Sequence, residues 1–243
     1  MEPGLSHRNP RVVETARLHR AEERNSRGMT LLEGPHLLEE AVIAGEHVVE
    51  VYGLANDSEA LGWAGRAGAE FVIVGEEGLG RLSSTQTPQS PVAVLTIPNR
   101  RLDSSRSVLV AWQISDPGNL GTMIRTAAAF GLDVAVTAGS ADPWSPKVLR
   151  AGTGGHFQTA VVEVDDLNSL EALKVATVMK GGGSPRSLPA GRLALLIGSE
   201  AHGLPDDVVE TADLKITIPM VGRTESLNAA AAATILAYEV SLR

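Results

Sequence analysis

Ile218-Pro-Met-Val-Gly-Arg-Thr-Glu-Ser-Leu-Asn228, followed at once by five alanines, joins a strand to the last helix of the chain. Upstream, Leu214, Ile216 and Ile218 alternate with Lys215 and Thr217, the period of a half-buried strand, and Pro219 ends the run because it has no N–H for a sheet ladder. Downstream, Ala, Leu, Ile and Tyr continue to Arg243 without Gly or Pro, which predicts a helix with Ser226 at its N-cap. Glu225, Ser226 and Asn228 thus gather at a helix N-terminus, where unpaired N–H groups and the positive dipole end favour an anionic or polar ligand. The same three residues also suit plain structural work as a cap, a solvated carboxylate and a backbone-paired amide.

Two more polar turns follow buried strands. Ser115-Asp-Pro-Gly-Asn-Leu-Gly-Thr-Met-Ile-Arg125 leaves a strand from Val108 to Trp112 and enters a helix from Leu120 to Phe130, which Asn119 can cap and Gly131 closes. Leu120, Ile124 and Ala127 form one face of it, and Gly121, Thr122, Arg125, Ala128 and Ala129 another. An arginine rising from a face of small residues leaves room for a phosphate or carboxylate to meet its planar fork of donors, although a structural ion pair would use it equally well. Leu195-Leu-Ile-Gly-Ser-Glu-Ala-His-Gly-Leu-Pro205 is the second turn. Its glycines at 198 and 203 allow a ligand to lie against backbone, Glu200 faces the site or its own loop amides, and His202 reads as an exposed loop residue.

Around these turns the chain alternates strand and helix. Strands are expected at Val134 to Thr137, Ala160 to Val164, Val175 to Met179, Leu193 to Ile197 and Leu214 to Ile218, which predicts an α/β unit with a mostly parallel sheet, helices on both faces and ligands at the carboxyl ends of its strands. Gly181-Gly-Gly183 reads as a flexible loop. A smaller α/β unit precedes it, with strands Thr30 to Leu32, Val48 to Leu54, Phe71 to Val74 and Pro91 to Ile97. The polar run Pro98 to Arg106 separates the two. The expected division is a basic arm at 1–28, a first domain at 29–98, a linker at 99–106 and a second domain at 107–243.

The 243 residues carry a net charge of −8, which argues against indiscriminate nucleic-acid binding. The arm is the exception, with Arg8, Arg11, Arg17, Arg20, Arg24 and Arg27 against four glutamates. These arginines suit contact with RNA phosphate, or ion pairs with glutamates at helical spacing. The absence of cysteine fits a reducing compartment, and no apolar run is long enough for a membrane span, so a soluble cytoplasmic protein is expected. No metal site is expected: Glu33, His36, Glu39 and Glu40 could suggest one, but Glu39 and Glu40 read as a solvated helix face. No Gly-x-Gly-x-x-Gly or Gly-Lys-Ser/Thr loop points to a nicotinamide or P-loop enzyme.

Taken together, Asp116-Pro-Gly-Asn119 with Gly121 and Arg125, Ile197-Gly-Ser-Glu200 with Gly203, and Ile218-Pro-Met with Ser226-Leu-Asn228 resemble the three motifs of the SpoU (TrmH) family of RNA ribose 2'-O-methyltransferases, in the SPOUT superfamily. Asp142-Pro-Trp-Ser-Pro-Lys147 and Arg150 resemble another family segment, whereas Gly152-Thr-Gly-Gly-His156 departs from it. The first domain resembles the ribosomal-protein-like RNA-binding domain that members carry in front.

The resemblance implies S-adenosyl-L-methionine as methyl donor, a C-terminal trefoil knot, a homodimer, and RNA as substrate, with large-subunit ribosomal RNA favoured over transfer RNA. It places Asn119, Arg125, Glu200, Ser226 and Asn228 in the reaction site and Gly198, Ile218 and Leu227 around the cofactor. Because a guanidinium holds its proton in proteins, Arg125 is expected to clamp phosphate and stabilise the developing alkoxide while phosphate or water takes the proton. A fold-retaining RNA-binding protein without chemistry and a base methyltransferase are the competing readings.

Overall fold

The computed structural model describes residues 4–222 and 226–243, so Glu225 lies outside the described residues. The chain divides into two units, Met1–Asn99 with Trp144–Phe157, and Arg100–Pro143 with Gln158–Arg243.

The first unit runs α1 (Pro10–Ala16), α2 (Ala21–Arg27), β1 (Met29–Glu33), α3 (Pro35–Ile43), β2 (Val48–Gly53), α4 (Ser58–Ala67), β3 (Glu70–Ile73), α5 (Glu76–Leu82) and β4 (Val92–Thr96). Its sheet has the order β1-β4-β2-β3, parallel only between β2 and β3. Successive strand residues feed opposite faces: Leu32 and Val51 join one core, Leu31 and Tyr52 the other. Residues 1–28 are not a separate arm. Val12 of α1 and Leu18 are buried with Leu31 and Tyr52, and that apolar burial fastens the segment to the sheet.

The second unit contains β5 (Val108–Ala111), α6 (Pro117–Phe130), β6 (Asp133–Thr137), β7 (Val161–Val164), β8 (Leu173–Thr177), β9 (Leu193–Ile197), α8 (Asp206–Thr211), β10 (Leu214–Ile216) and α9 (Ala229–Ser241). Between β6 and β7 the chain forms α7 (Pro146–Gly152), which packs with the first unit: Leu149 and Phe157 enter the core beside Leu32 and Leu38. There Arg150 pairs at 2.9 Å with buried Glu33, which also accepts from Ser83 Oγ and Ser84 N.

The second sheet has six strands in the order β10-β8-β9-β5-β6-β7, all parallel. Val108, Val110, Ala194 and Leu196 pack on one face with Leu170 and Val208 of α8. By alternation Leu109 and Leu195 face the other side, where α6 packs on β5 and β6 and α9 on β9. Asp133 is 1 % exposed and holds the sheet edge together, accepting from Asp103 N at 2.6 Å, Ala160 N at 3.2 Å and Thr159 Oγ1 at 3.1 Å.

The glycine run at 181–183 is no flexible loop. Gly183 N donates to Lys215 O at 2.8 Å and Thr217 N to Gly183 O at 2.9 Å, so the run pairs with the chain at β10. A Cβ on Gly182 would lie 2.6 Å from the carbonyl carbon of Ile216, and only glycine permits that approach. β8 and β10 both end two residues earlier than expected, at Thr177 and Ile216, because the residues beyond them turn to wall a cavity.

Candidate active site

Asp116, rather than Asn119, caps α6. Its Oδ1 accepts from Asn119 N at 2.8 Å, and Pro117 opens the helix at the position where its missing N–H costs nothing. The Asn119 side chain is thereby free for other work. At the last helix the cap is Asn228 instead of Ser226: Asn228 Oδ1 accepts from Ala230 N at 2.9 Å and from Ala231 N at 3.2 Å. Both shifts have one cause, since a carboxylate or amide oxygen placed one residue ahead of N1 reaches the N2 and N3 donors, whereas Ser226 stands too far upstream.

The three turns meet. Asn228 Nδ2 donates to Asn119 Oδ1 at 2.9 Å, and Asn119 Nδ2 donates to Glu200 Oε1 at 2.5 Å. A cavity of about 520 Å³ opens beside them, with Glu200, Ser226, Leu227, Gly198 and Ile218 all in its wall. Its apolar lining comes from Ile197, Leu204, Val209, Ala229 and Ala232, and its polar lining includes Ser199, His202 and Asp206. The glycine at 198 is required by the chain itself rather than by a ligand, because a Cβ there would lie 2.2 Å from the Gly203 carbonyl carbon. Arg125 stands two turns along α6 from Asn119, exposed, outside the cavity wall, and without a hydrogen bond or ion pair among the described residues.

Sequence reading missed Val178 and Met179 beyond β8 as part of the cavity wall. The signal was their place at the carboxyl end of an expected parallel strand, where ligands of such sheets lie; in the structure Met179 is 70 % exposed.

The signature described as the SpoU rRNA Methylase family matches residues 106–238. The chain belongs to this family. Within the SpoU family, the 23S rRNA (guanosine(2553)-2'-O)-methyltransferase RlmP of Bacillus subtilis is 36% identical over 244 residues, covering 97% of each chain. AviRb of Streptomyces viridochromogenes, a SpoU methyltransferase solved with AdoMet, superposes with a TM-score of 0.88 at 25% identity, over 97% of this chain and 98% of that one. The AdoMet-bound rRNA methyltransferase of Sinorhizobium meliloti shares the fold, with a TM-score of 0.86 at 24% identity over 98% and 97% of the two chains.

A second signature, the MRM3-like substrate binding domain, matches residues 9–93 and so takes in α1 and α2. Of the six arginines in residues 1–28, four have protein partners. Arg11 donates to Glu50 at 2.8 Å and to Glu70 at 2.5 Å, Arg17 and Arg27 pair with Glu14, and Arg24, 3 % exposed, donates to the carbonyls of Leu18 and His19. Ion pairing thus accounts for Arg11, Arg17 and Arg27, and buried backbone capture for Arg24. Arg8 and Arg20 are exposed.

Proposed function

We propose that this chain methylates a ribose 2'-hydroxyl of ribosomal RNA, with S-adenosyl-L-methionine as donor and the large-subunit RNA as target. The observation that carries the reading is the hydrogen-bonded run Asn228–Asn119–Glu200, in which three separate motifs converge at the cavity. The cavity fits the cofactor: its volume suits a nucleoside-sized ligand, its apolar walls suit a base, and its polar groups lie where the motifs meet. Gly198, Ile218 and Leu227 are the residues we place around it. The bound cofactor supplies the electrophilic methyl group. Ser226 sits in the same wall as Glu200, and Arg125 supplies positive charge to the substrate phosphate and to the oxygen as it loses its proton.

The N-terminal unit is proposed to hold the RNA, as the signature over residues 9–93 suggests for substrate binding. A homodimer is proposed as well. Its support is an exposed apolar run along α9 and its C-cap, Ile235, Tyr238 and Leu242, with Phe130 set edge-on to Tyr238 at 5.9 Å. A C-terminal trefoil knot is proposed on the family resemblance, and the long-range backbone approach of Gly182 to Ile216 is compatible with it. No helix among the described residues is long and apolar enough to cross a membrane, and a cytoplasmic location follows from the proposed ribosomal target.

The test is calorimetric titration with S-adenosyl-L-methionine and determination of molar mass, then methylation of ribosomal RNA and mass analysis of the digested nucleosides. The expected result is saturable binding to a dimer and a methyl group on ribose. Methyl on a base, or on transfer RNA alone, overturns the assignment, and absence of any methyl product returns the chain to the RNA-binding reading.

A further inference from the structure

The hydrogen-bonded run at the cavity has a fixed sense. The N–H groups of Ala230 and Ala231 can only donate, so Asn228 must present its Oδ1 to them, at 2.9 and 3.2 Å. Its Nδ2 then faces Asn119 and can meet only an oxygen there, at 2.9 Å. Asn119 is left with its Nδ2, which it gives to Glu200 Oε1 at 2.5 Å. A chain of donors that begins at the head of a helix therefore ends on an acceptor, and a carboxylate is the acceptor that suits it. Glu200 Oε2 makes no hydrogen bond among the described residues, and Glu200 is an exposed part of the cavity wall.

We propose that Glu200 Oε2 takes the proton of the ribose hydroxyl, and that Asn119 and Asn228 are positioning residues that occupy Oε1 and aim the carboxylate. The inference rests on the ribose methyltransferase reading above and names the proton acceptor for it. In the step, the ribose O–H bond breaks and its proton passes to Oε2. The oxygen lone pair forms the bond to the methyl carbon, and the pair of the carbon–sulfur bond leaves with sulfur. The proton is afterwards lost to water.

The competing groups are less suited. Arg125 already carries its proton and has no lone pair to offer, and Asp116 Oδ1 is engaged by Asn119 N. His202 and Asp206 share the cavity wall, but among the described residues no hydrogen bond joins their side chains to the three motifs.

Glu200→Gln tests the proposal, because glutamine keeps an oxygen for Asn119 and removes the proton acceptor. The full chain is assayed with a transcript of 23S ribosomal RNA, wild type first. A wild type that transfers no methyl to ribose sinks the underlying reading, independently of Glu200. Given an active wild type, the expected result is a single-turnover rate about 10²–10⁴-fold lower in Glu200→Gln. The calorimetric affinity for S-adenosyl-L-methionine should stay at the wild-type value. Two outcomes overturn the proposal: a wild-type rate in the variant, or a rate loss matched by a loss of cofactor affinity.

Discussion

Asn119 acts where it does because Asp116 has taken over the cap of α6. An amide at this point both accepts from Asn228 and donates to Glu200, and no isosteric residue does both. Asn119→Asp puts a second carboxylate 2.5 Å from Glu200 and removes the donor. The expected outcome is a methyl-transfer rate reduced on the order of 10²-fold through loss of alignment, with calorimetric cofactor binding retained. Arg125 makes a different demand, for charge rather than for placement within the network. Arg125→Ala should lower the rate by about 10²–10³-fold, as loss of an electrostatic stabiliser does elsewhere, and Arg125→Lys should recover most of it. A lysine variant as slow as the alanine variant would show that the planar fork matters more than the positive charge.

Elements were legible in the sequence wherever period and punctuation agree. The order of strands and helices and the closure of α6 at Gly131 follow from local chemistry. Long-range approaches were not legible. Nothing local distinguishes Gly182 from a linker glycine, since its need arises from Ile216, thirty-four positions later. Gly182→Ala forces the two backbones apart and is expected to cost about 1–3 kcal/mol or more in unfolding free energy, read by denaturant titration. Asp133→Ala strands the backbone donors of Ala160 and Asp103, whereas the Thr159 hydroxyl keeps the Leu132 carbonyl, and should cost about 2–4 kcal/mol by the same measurement. The site was legible as a set of residues, but the division of labour between cap and ligand contact was not, because one residue of offset separates Ser226 and Asn228 from their proper roles.

At the scale of the whole molecule, a net charge of −8 leaves RNA attraction to particular exposed cations. Six arginines near the N-terminus were visible in the sequence, yet their partners were not: Glu50 and Glu70 lie on strands folded back onto α1. Arg11 is therefore largely neutralised, and its hydrogen bond holds the Glu70 carboxyl below the usual carboxylate range. Tyr52, pushed up to about 12 by burial and by its bond to Glu50, stays a neutral donor in this cluster. Since the folded Glu70 value is the depressed one, its stabilisation is complete above the ordinary carboxylate value near ~4.3 and is lost as pH falls through the lower folded value. Wild type should thus melt above Glu70→Gln at neutral pH, and the gap should close in strong acid; a gap that persists there would remove the ion pair from the account. RNA binding calls for a different substitution. Removing residues 1–28 would also strip Val12 and Leu18 from the core, so weakened binding after that deletion could not be assigned to charge. Arg8→Ala with Arg20→Ala removes only exposed cations. If both meet phosphate, the slope of log affinity against log salt should flatten by between about one and two, whereas Arg11→Gln, whose cation already faces two carboxylates, should leave the slope unchanged. An unaltered slope in the double variant would move the phosphate contacts off this segment.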